Sequence, residues 1–335
     1  MGVAGLLTRI GIGRTEQAPQ APPHQRIGNY RLLRLLGRGG MGEVWLGSHQ
    51  TTQEMVAIKI VRGAEVGADR AQHDLSMQRL QREARAIARV RSPNVVRLLD
   101  SGLTPTGAFY YAMEFVDGVT LETMVRALGG LEWRLAMYLL RGVAAGLEAA
   151  HSHGLVHCDV SPANVIVCTG DGRPVPRLID FGLVRFIRDV SGTTHLSLPV
   201  LAAGTPAYMA PELILRRPVD PRTDIYAWGC VATRLLTART LFDAESPVEM
   251  ALAQLTEKPQ PPSLRARHPL PAALDALVLT CLAKDPAARP ASMKDVIQAL
   301  DDLECGEPSE WSGPSDLSVT PNLAEEPTAC DAPVA

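Results

Sequence analysis

The strongest constraint on the fold of this 335-residue chain is the order of four short motifs. A glycine-rich turn, GRGGMGEV, runs from Gly37 to Val44, and an apolar run ending in a cation, Val56-Ala57-Ile58-Lys59, follows it. Far downstream come HCDVSPAN, from His157 to Asn164, and then Asp180-Phe181-Gly182. The turn lies between two strand-like runs, so it is not a dinucleotide fingerprint, which needs a helix after its glycines. Lacking side chains, its backbone can close over phosphates and offer N–H groups to them. Lys59 ends an apolar strand, where an unpaired ammonium is costly, so it needs an acidic partner. The four motifs are together a set of parts for handling phosphate.

Composition narrows the setting. A chain with 46% hydrophobic and 21% charged residues reads as a soluble globular protein large enough for two lobes. The net charge of -3 gives no field that would favour nucleic acid or a membrane surface. The charge is uneven. Glu304, Glu307, Glu310, Asp316, Glu325, Glu326 and Asp331 carry the tail with no Lys or Arg, and residues 1–303 are therefore net positive, as suits a polyanionic ligand. The six cysteines show no metal-binding spacing and read as reduced thiols of a cytoplasmic protein. No run approaches the ~20 apolar residues of a membrane span, and Arg9 and Arg14 interrupt the apolar N-terminus, so neither an integral membrane segment nor a signal peptide is expected.

Along the chain, residues 1–29 read as a disordered lead-in, rich in Pro and Gln from residue 15. Strand-like runs begin at Tyr30 (YRLLRLLG, EVWLGSH, MVAIKIV) and continue after a helical pattern at 75–90 with VVRLLDSG and FYYAMEF. After Gly118 helical patterns dominate, with a long one from Leu131 closed by Gly154, then 226–236, 247–255, 274–282 and 291–303. Residues 304–335, acidic and Pro-rich, read as a disordered tail that could bind a partner.

The motifs and their order resemble the protein kinase superfamily, specifically the bacterial branch of eukaryotic-like Ser/Thr protein kinases. The resemblance covers residues 30–303 and implies an α+β, bilobal fold. The N-lobe (30–112) would be a small five-stranded antiparallel sheet with one helix, followed by a hinge (113–118) and a larger, mainly helical C-lobe (119–303). It implies ATP and Mg²⁺ as cofactors and transfer of the γ-phosphate to Ser or Thr of protein substrates, with autophosphorylation. The catalytic residues would be Asp159 as base, and Lys59 held to the α- and β-phosphates by Glu83. Leu36, Gly37, Arg38, Gly39, Gly40, Met41, Gly42, Glu43 and Val44 would cover ATP, together with Ala57, Lys59 and the hinge backbones of Glu114 and Val116. Asn164 and Asp180 would hold the metal. Thr205 would bond Asp159, Glu212 would pair with Arg289, and Asp224 would fix the catalytic loop from below. Two positions depart from the pattern. Cys158 stands where most members have an arginine that pairs with a phosphorylated activation loop, and Ser161 where Ser/Thr kinases have a lysine for the γ-phosphate. These departures leave an alternative, a pseudokinase that binds nucleotide and regulates a partner.

Overall fold

The computed structural model describes residues 25–39, 42–61, 84–170, 172–180 and 206–306. Its first part is a six-stranded antiparallel sheet of β1 (Arg26–Ile27), β2 (Tyr30–Gly39), β3 (Gly42–His49), β4 (Met55–Val61), β5 (Leu98–Leu103) and β6 (Phe109–Glu114). The strands lie in the order β1-β2-β3-β4-β6-β5. One strand more than the expected five is present, and it lies inside the segment read as lead-in. The reason is local. Gly28, at φ +55°, takes the left-handed turn that glycine adopts freely, so Ile27 folds back onto Tyr30 and is buried. Pro and Gln upstream hid a two-residue strand.

β6 explains the architecture of this lobe. Phe109, Tyr111 and Met113 point into the main core, while Tyr110 and Ala112 point into a second core under Tyr30, Trp45 and Ile58. A strand apolar on both faces belongs inside a sheet, and β6 lies between β4 and β5. Residues 84–87 are helical, and the rest of the expected helix, including Glu83, lies outside the described residues.

The second part is helical, with α1 (Leu121–Leu128), α2 (Trp133–His151), α3 (Pro211–Ile214), α4 (Pro221–Thr237), α5 (Pro247–Thr256), α6 (Ala272–Cys281) and α7 (Met293–Gly306). A small sheet of β7 (Val119–Thr120), β8 (Val165–Gly170) and β9 (Arg173–Leu178) lies against α2. Two glycines one turn apart on α2 make that contact close. A Cβ on Gly142 would meet Pro176 Cγ at 2.5 Å, and one on Gly146 would meet the Asn94 carbonyl at 2.7 Å. Any side chain there would push the helix off β9, whose end leads into Asp180. Buried Trp228 on α4 donates to the Leu140 carbonyl of α2 at 3.0 Å. α4 begins with Asp220 as its N-cap and Pro221 in the first turn, a start earlier than the apolar pattern at 226 shows.

Candidate active site

A cavity of about 550 Å³ opens between the six-stranded sheet and the β8–β9 hairpin. From the glycine-rich hairpin it receives Leu36, Gly37, Arg38, Gly39, Gly42 and Val44; from β4, Ala57 and Lys59; from the connecting segment, Met113, Glu114, Phe115 and Val116. From below come Asp159, Ser161, Asn164 and Asp180. Residues distant in sequence thus converge on one space. Gly40 and Met41 lie outside the described residues, as do Glu83, Phe181 and Thr205. Glu43 is described but does not line the cavity. Side chains alternate along a strand, so Gly42 and Val44 share one face and Glu43 takes the other. There its carboxylate accepts from Trp45 Nε1 at 3.0 Å and pairs with Arg38 at 3.1 Å.

The sheet register places the lysine. Lys59 lies opposite Val44 on one side and Tyr111 on the other. Its ammonium reaches Asp180 Oδ2 at 2.8 Å, and the Tyr111 hydroxyl donates to Asp180 Oδ1 at 2.6 Å. Asp180 itself stands at φ +61°, an uncommon conformation for a non-glycine residue. Burial, followed by the Asp180 charge and hydrogen bond, pushes the Tyr111 phenol well above its ordinary pKa, so it remains a donor.

The lower loop is held by one carboxylate. Asp224 Oδ2 accepts from the His157 backbone N–H at 2.7 Å and Oδ1 from the Cys158 N–H at 2.8 Å. His151 Nε2 lies 2.8 Å from the same Oδ2. Asp224 is fully buried and Cys158 stands at φ +61°, so the loop's bent backbone is fixed from within, as the sequence led us to expect. The Asp159 N–H donates to His157 Nδ1 at 3.3 Å, which leaves Nε2 as the protonated nitrogen facing the Ile179 carbonyl at 3.1 Å. Asn164 Nδ2 donates to the Asp159 carbonyl at 2.8 Å and to its carboxylate at 2.9 Å, so its Oδ1 is the oxygen left for a cation. The donor set of Asn164 and Asp180, one amide and one carboxylate oxygen source beside an open cavity, fits a hard cation that keeps water and phosphate ligands.

Away from the cavity, Glu212 and Arg289 form the expected pair, bidentate at 2.7 and 3.0 Å. Burial raises the Glu212 pKa, but the Arg289 bonds and charge outweigh it and hold the carboxyl below its usual range. Sequence reasoning missed Tyr111 and Arg177. Arg177 Nη2 bonds the Glu114 carboxylate at 2.5 Å and the Val95 carbonyl at 3.3 Å, tying the hinge to β9. The Glu114 N–H donates to the Arg97 carbonyl at 3.0 Å, which ties the end of β6 to the residue before β5. An arginine after two prolines in one short strand gave no signal of this; for Tyr111 the signal was its place two residues before Met113.

A protein kinase domain model matches residues 30–300. The chain belongs to the protein kinase family. It is similar to the serine/threonine-protein kinase Pkn1 of Myxococcus xanthus, 37% identical over 277 residues, which covers 82% of this chain and 38% of that protein. It is also similar to the serine/threonine-protein kinase PknB of Mycobacterium tuberculosis, 35% identical over 292 residues, covering 86% of this chain and 45% of the relative. The chain spans less than half the length of these curated relatives. Among solved structures it resembles the PknI kinase domain of Mycobacterium tuberculosis, with a TM-score of 0.65 and 28% identity, covering 84% of this chain and 99% of that one. These are bacterial kinases, the branch that the motifs resemble. Kinases of this family use ATP with a divalent metal ion and act on proteins. No helix among the described residues is long and apolar enough to cross a membrane.

Proposed function

We propose that this protein transfers the γ-phosphoryl group of ATP, as its Mg²⁺ complex, to Ser and Thr hydroxyls of protein substrates and of itself. The observation that carries this reading is the convergence of Lys59, Asp159, Asn164 and Asp180 on one cavity beneath a glycine-rich hairpin. Mg²⁺ held at this site would supply positive charge to offset that of the phosphates. Asn164 and Asp180 would hold it through their side-chain oxygens. Lys59 would turn from Asp180 toward the α- and β-phosphates, with Glu83 as its partner. Asp159, oriented by the Asn164 amide, would take the hydroxyl proton of the acceptor. Ala57 and Val44 would enclose the adenine ring, and the backbones of Glu114 and Val116 would bond its edge. Positioning and fixed charge supply most of such a rate enhancement.

The pseudokinase alternative rests on Cys158 and Ser161 alone, and the similar proteins, named as kinases, give it no support. We place the protein in the cytoplasm and leave partner binding to the acidic tail, of which residues 307–335 lie outside the described residues. The test is purified protein with γ-labelled ATP, Mg²⁺ and a basic acceptor protein, with Asp159→Asn as control. Label on Ser or Thr in wild type only is the expected result; label in neither protein, with Mg²⁺-dependent ATP binding retained, would favour the pseudokinase.

A further inference from the structure

Lys59 and Tyr111 are cross-strand partners on β4 and β6, and both side chains end on the same carboxylate. The lysine lies beside the phenol ring, its nitrogen 5.9 Å from the ring centroid. Tyr111 is buried, so water cannot serve its hydroxyl, and a buried hydroxyl without a partner is costly. Filling space does not require the oxygen, since Phe109, on the same face of β6, packs into the same core without one. The hydroxyl therefore has a specific use, and its partner is Asp180.

We propose that Tyr111 is a positioning residue for Asp180: together with Lys59 it holds the carboxylate in the resting site, and its hydroxyl sets how readily Asp180 takes the divalent cation. This rests on the reading of Asp180 as a metal ligand. A carboxylate offers about four lone-pair sites, and Tyr111 and Lys59 take one on each oxygen. Both bonds withdraw electron density from the oxygens that a cation would use, and the short O–H···O⁻ bond is of the stronger, charge-assisted kind. Both also hold the left-handed backbone at Asp180, a conformation that persists only where its surroundings enforce it. Cation entry thus competes with the tyrosine, and Lys59 is released toward phosphate in the same exchange.

The experiment uses the full chain and Tyr111→Phe, which removes one oxygen and keeps the ring. Binding of a fluorescent ADP analogue is titrated with Mg²⁺. The half-saturating Mg²⁺ concentration should fall about tenfold in the variant, the size expected for loss of a hydrogen bond to a charged group. Nucleotide affinity without Mg²⁺ should stay within about twofold, because no phosphate contact is touched. A second measurement is independent of any ligand: Tyr111→Phe should lower the melting temperature of the nucleotide-free protein in the Asp180 background and much less in Asp180→Asn. Unchanged Mg²⁺ dependence in the variant, or equal melting losses in both backgrounds, would overturn the proposal while leaving Asp180 as a ligand. Wild-type nucleotide binding indifferent to Mg²⁺ would overturn both.

Discussion

The Arg289–Glu212 pair in the C-lobe and the Lys59–Asp180 pair in the cleft are both largely buried, and they are built for opposite ends. In the C-lobe, Arg289 uses all five of its N–H donors: two on Glu212, and one each on the carbonyls of Ala283, Arg222 and Lys284. Its side chain is fully buried and that of Glu212 is 5% exposed. No donor of that guanidinium is left to bind anything else. In the cleft, Lys59 and Asp180 are 10% and 14% exposed and face a cavity, and among the described residues their side chains bond to each other and to Tyr111. The difference separates a pair that holds the fold from one that exchanges partners. Burial and pairing are similar in both; saturation is what distinguishes them.

The largest expected effect breaks the C-lobe side of this comparison. Arg289→Met leaves Glu212 buried without its partner, and removing one member of a buried pair costs about 3–5 kcal/mol. For a domain of this size the melting midpoint should fall by roughly 10 °C. A loss below about 1 kcal/mol, read from urea unfolding, would place the pair with ordinary surface ion pairs. Lys59→Met should show the reverse profile. Asp180 keeps the Tyr111 bond and some water, so the melting loss should be less than half that of Arg289→Met. Phosphate incorporation should fall by ~10²–10³ or more, because a charge aimed at the transferring group is gone. Wild-type incorporation in that variant would remove Lys59 from the site.

A smaller effect is expected at Ser161, which is buried and lines the cavity with Asp159. It offers a hydroxyl where a lysine would offer a charge. Ser161→Lys should raise kcat by up to about tenfold and leave the KM for ATP nearly unchanged, since the added charge acts mainly in the transition state. Steady-state kinetics against Ser161→Ala would check this. A neutral or harmful lysine would mean that the cleft has settled around serine, and Arg38, whose guanidinium pairs with Glu43, would be the cation to replace next.

What the sequence made legible follows from the same physics. Lys59 stood out because a charge at the end of an apolar strand demands a partner, and Asp159, Asn164 and Asp180 because their spacing matches a known division of labour. Asp224 and the Glu212–Arg289 pair were legible for the same reason. Tyr111 was not, because an aromatic residue in a strand reads as core until its hydroxyl is seen to touch a carboxylate. Glu43 lies on the strand face opposite the one that Gly42 and Val44 share, a placement that follows from the period of two. The strand at Arg26–Ile27 was hidden because two residues and one glycine turn carry too little pattern against a polar background. Arg177 was invisible because its partner, Glu114, was read only through its backbone.

The smallest expected effect lies beside the C-lobe knot. Lys284 has its ammonium 4.6 Å from the Phe242 ring centroid and 5.5 Å from that of Tyr226, and it donates to the Gln254 carbonyl at 2.7 Å and the Tyr226 hydroxyl at 3.1 Å. Those partners are neutral, and Arg289 stacks on the same Tyr226 ring at 4.8 Å. Burial, with the Arg289 charge adding to it, pushes the Lys284 pKa down to about 8. In the unfolded chain a lysine titrates near ~10.4. Between those values the unfolded state binds a proton that the folded state has released, so stability rises with pH across the window; below it both states are protonated and the contribution is constant. Subtracting the stability of Lys284→Met from that of wild type, by urea unfolding at each pH, isolates this one group. The difference should be flat from about pH 6 to about 7.5 and climb from about 8 to about 10. Parallel curves would show that two rings and a carbonyl hold the ammonium as well as water does. Lys284 would then belong with Arg289 among the cations that the C-lobe has fully accommodated.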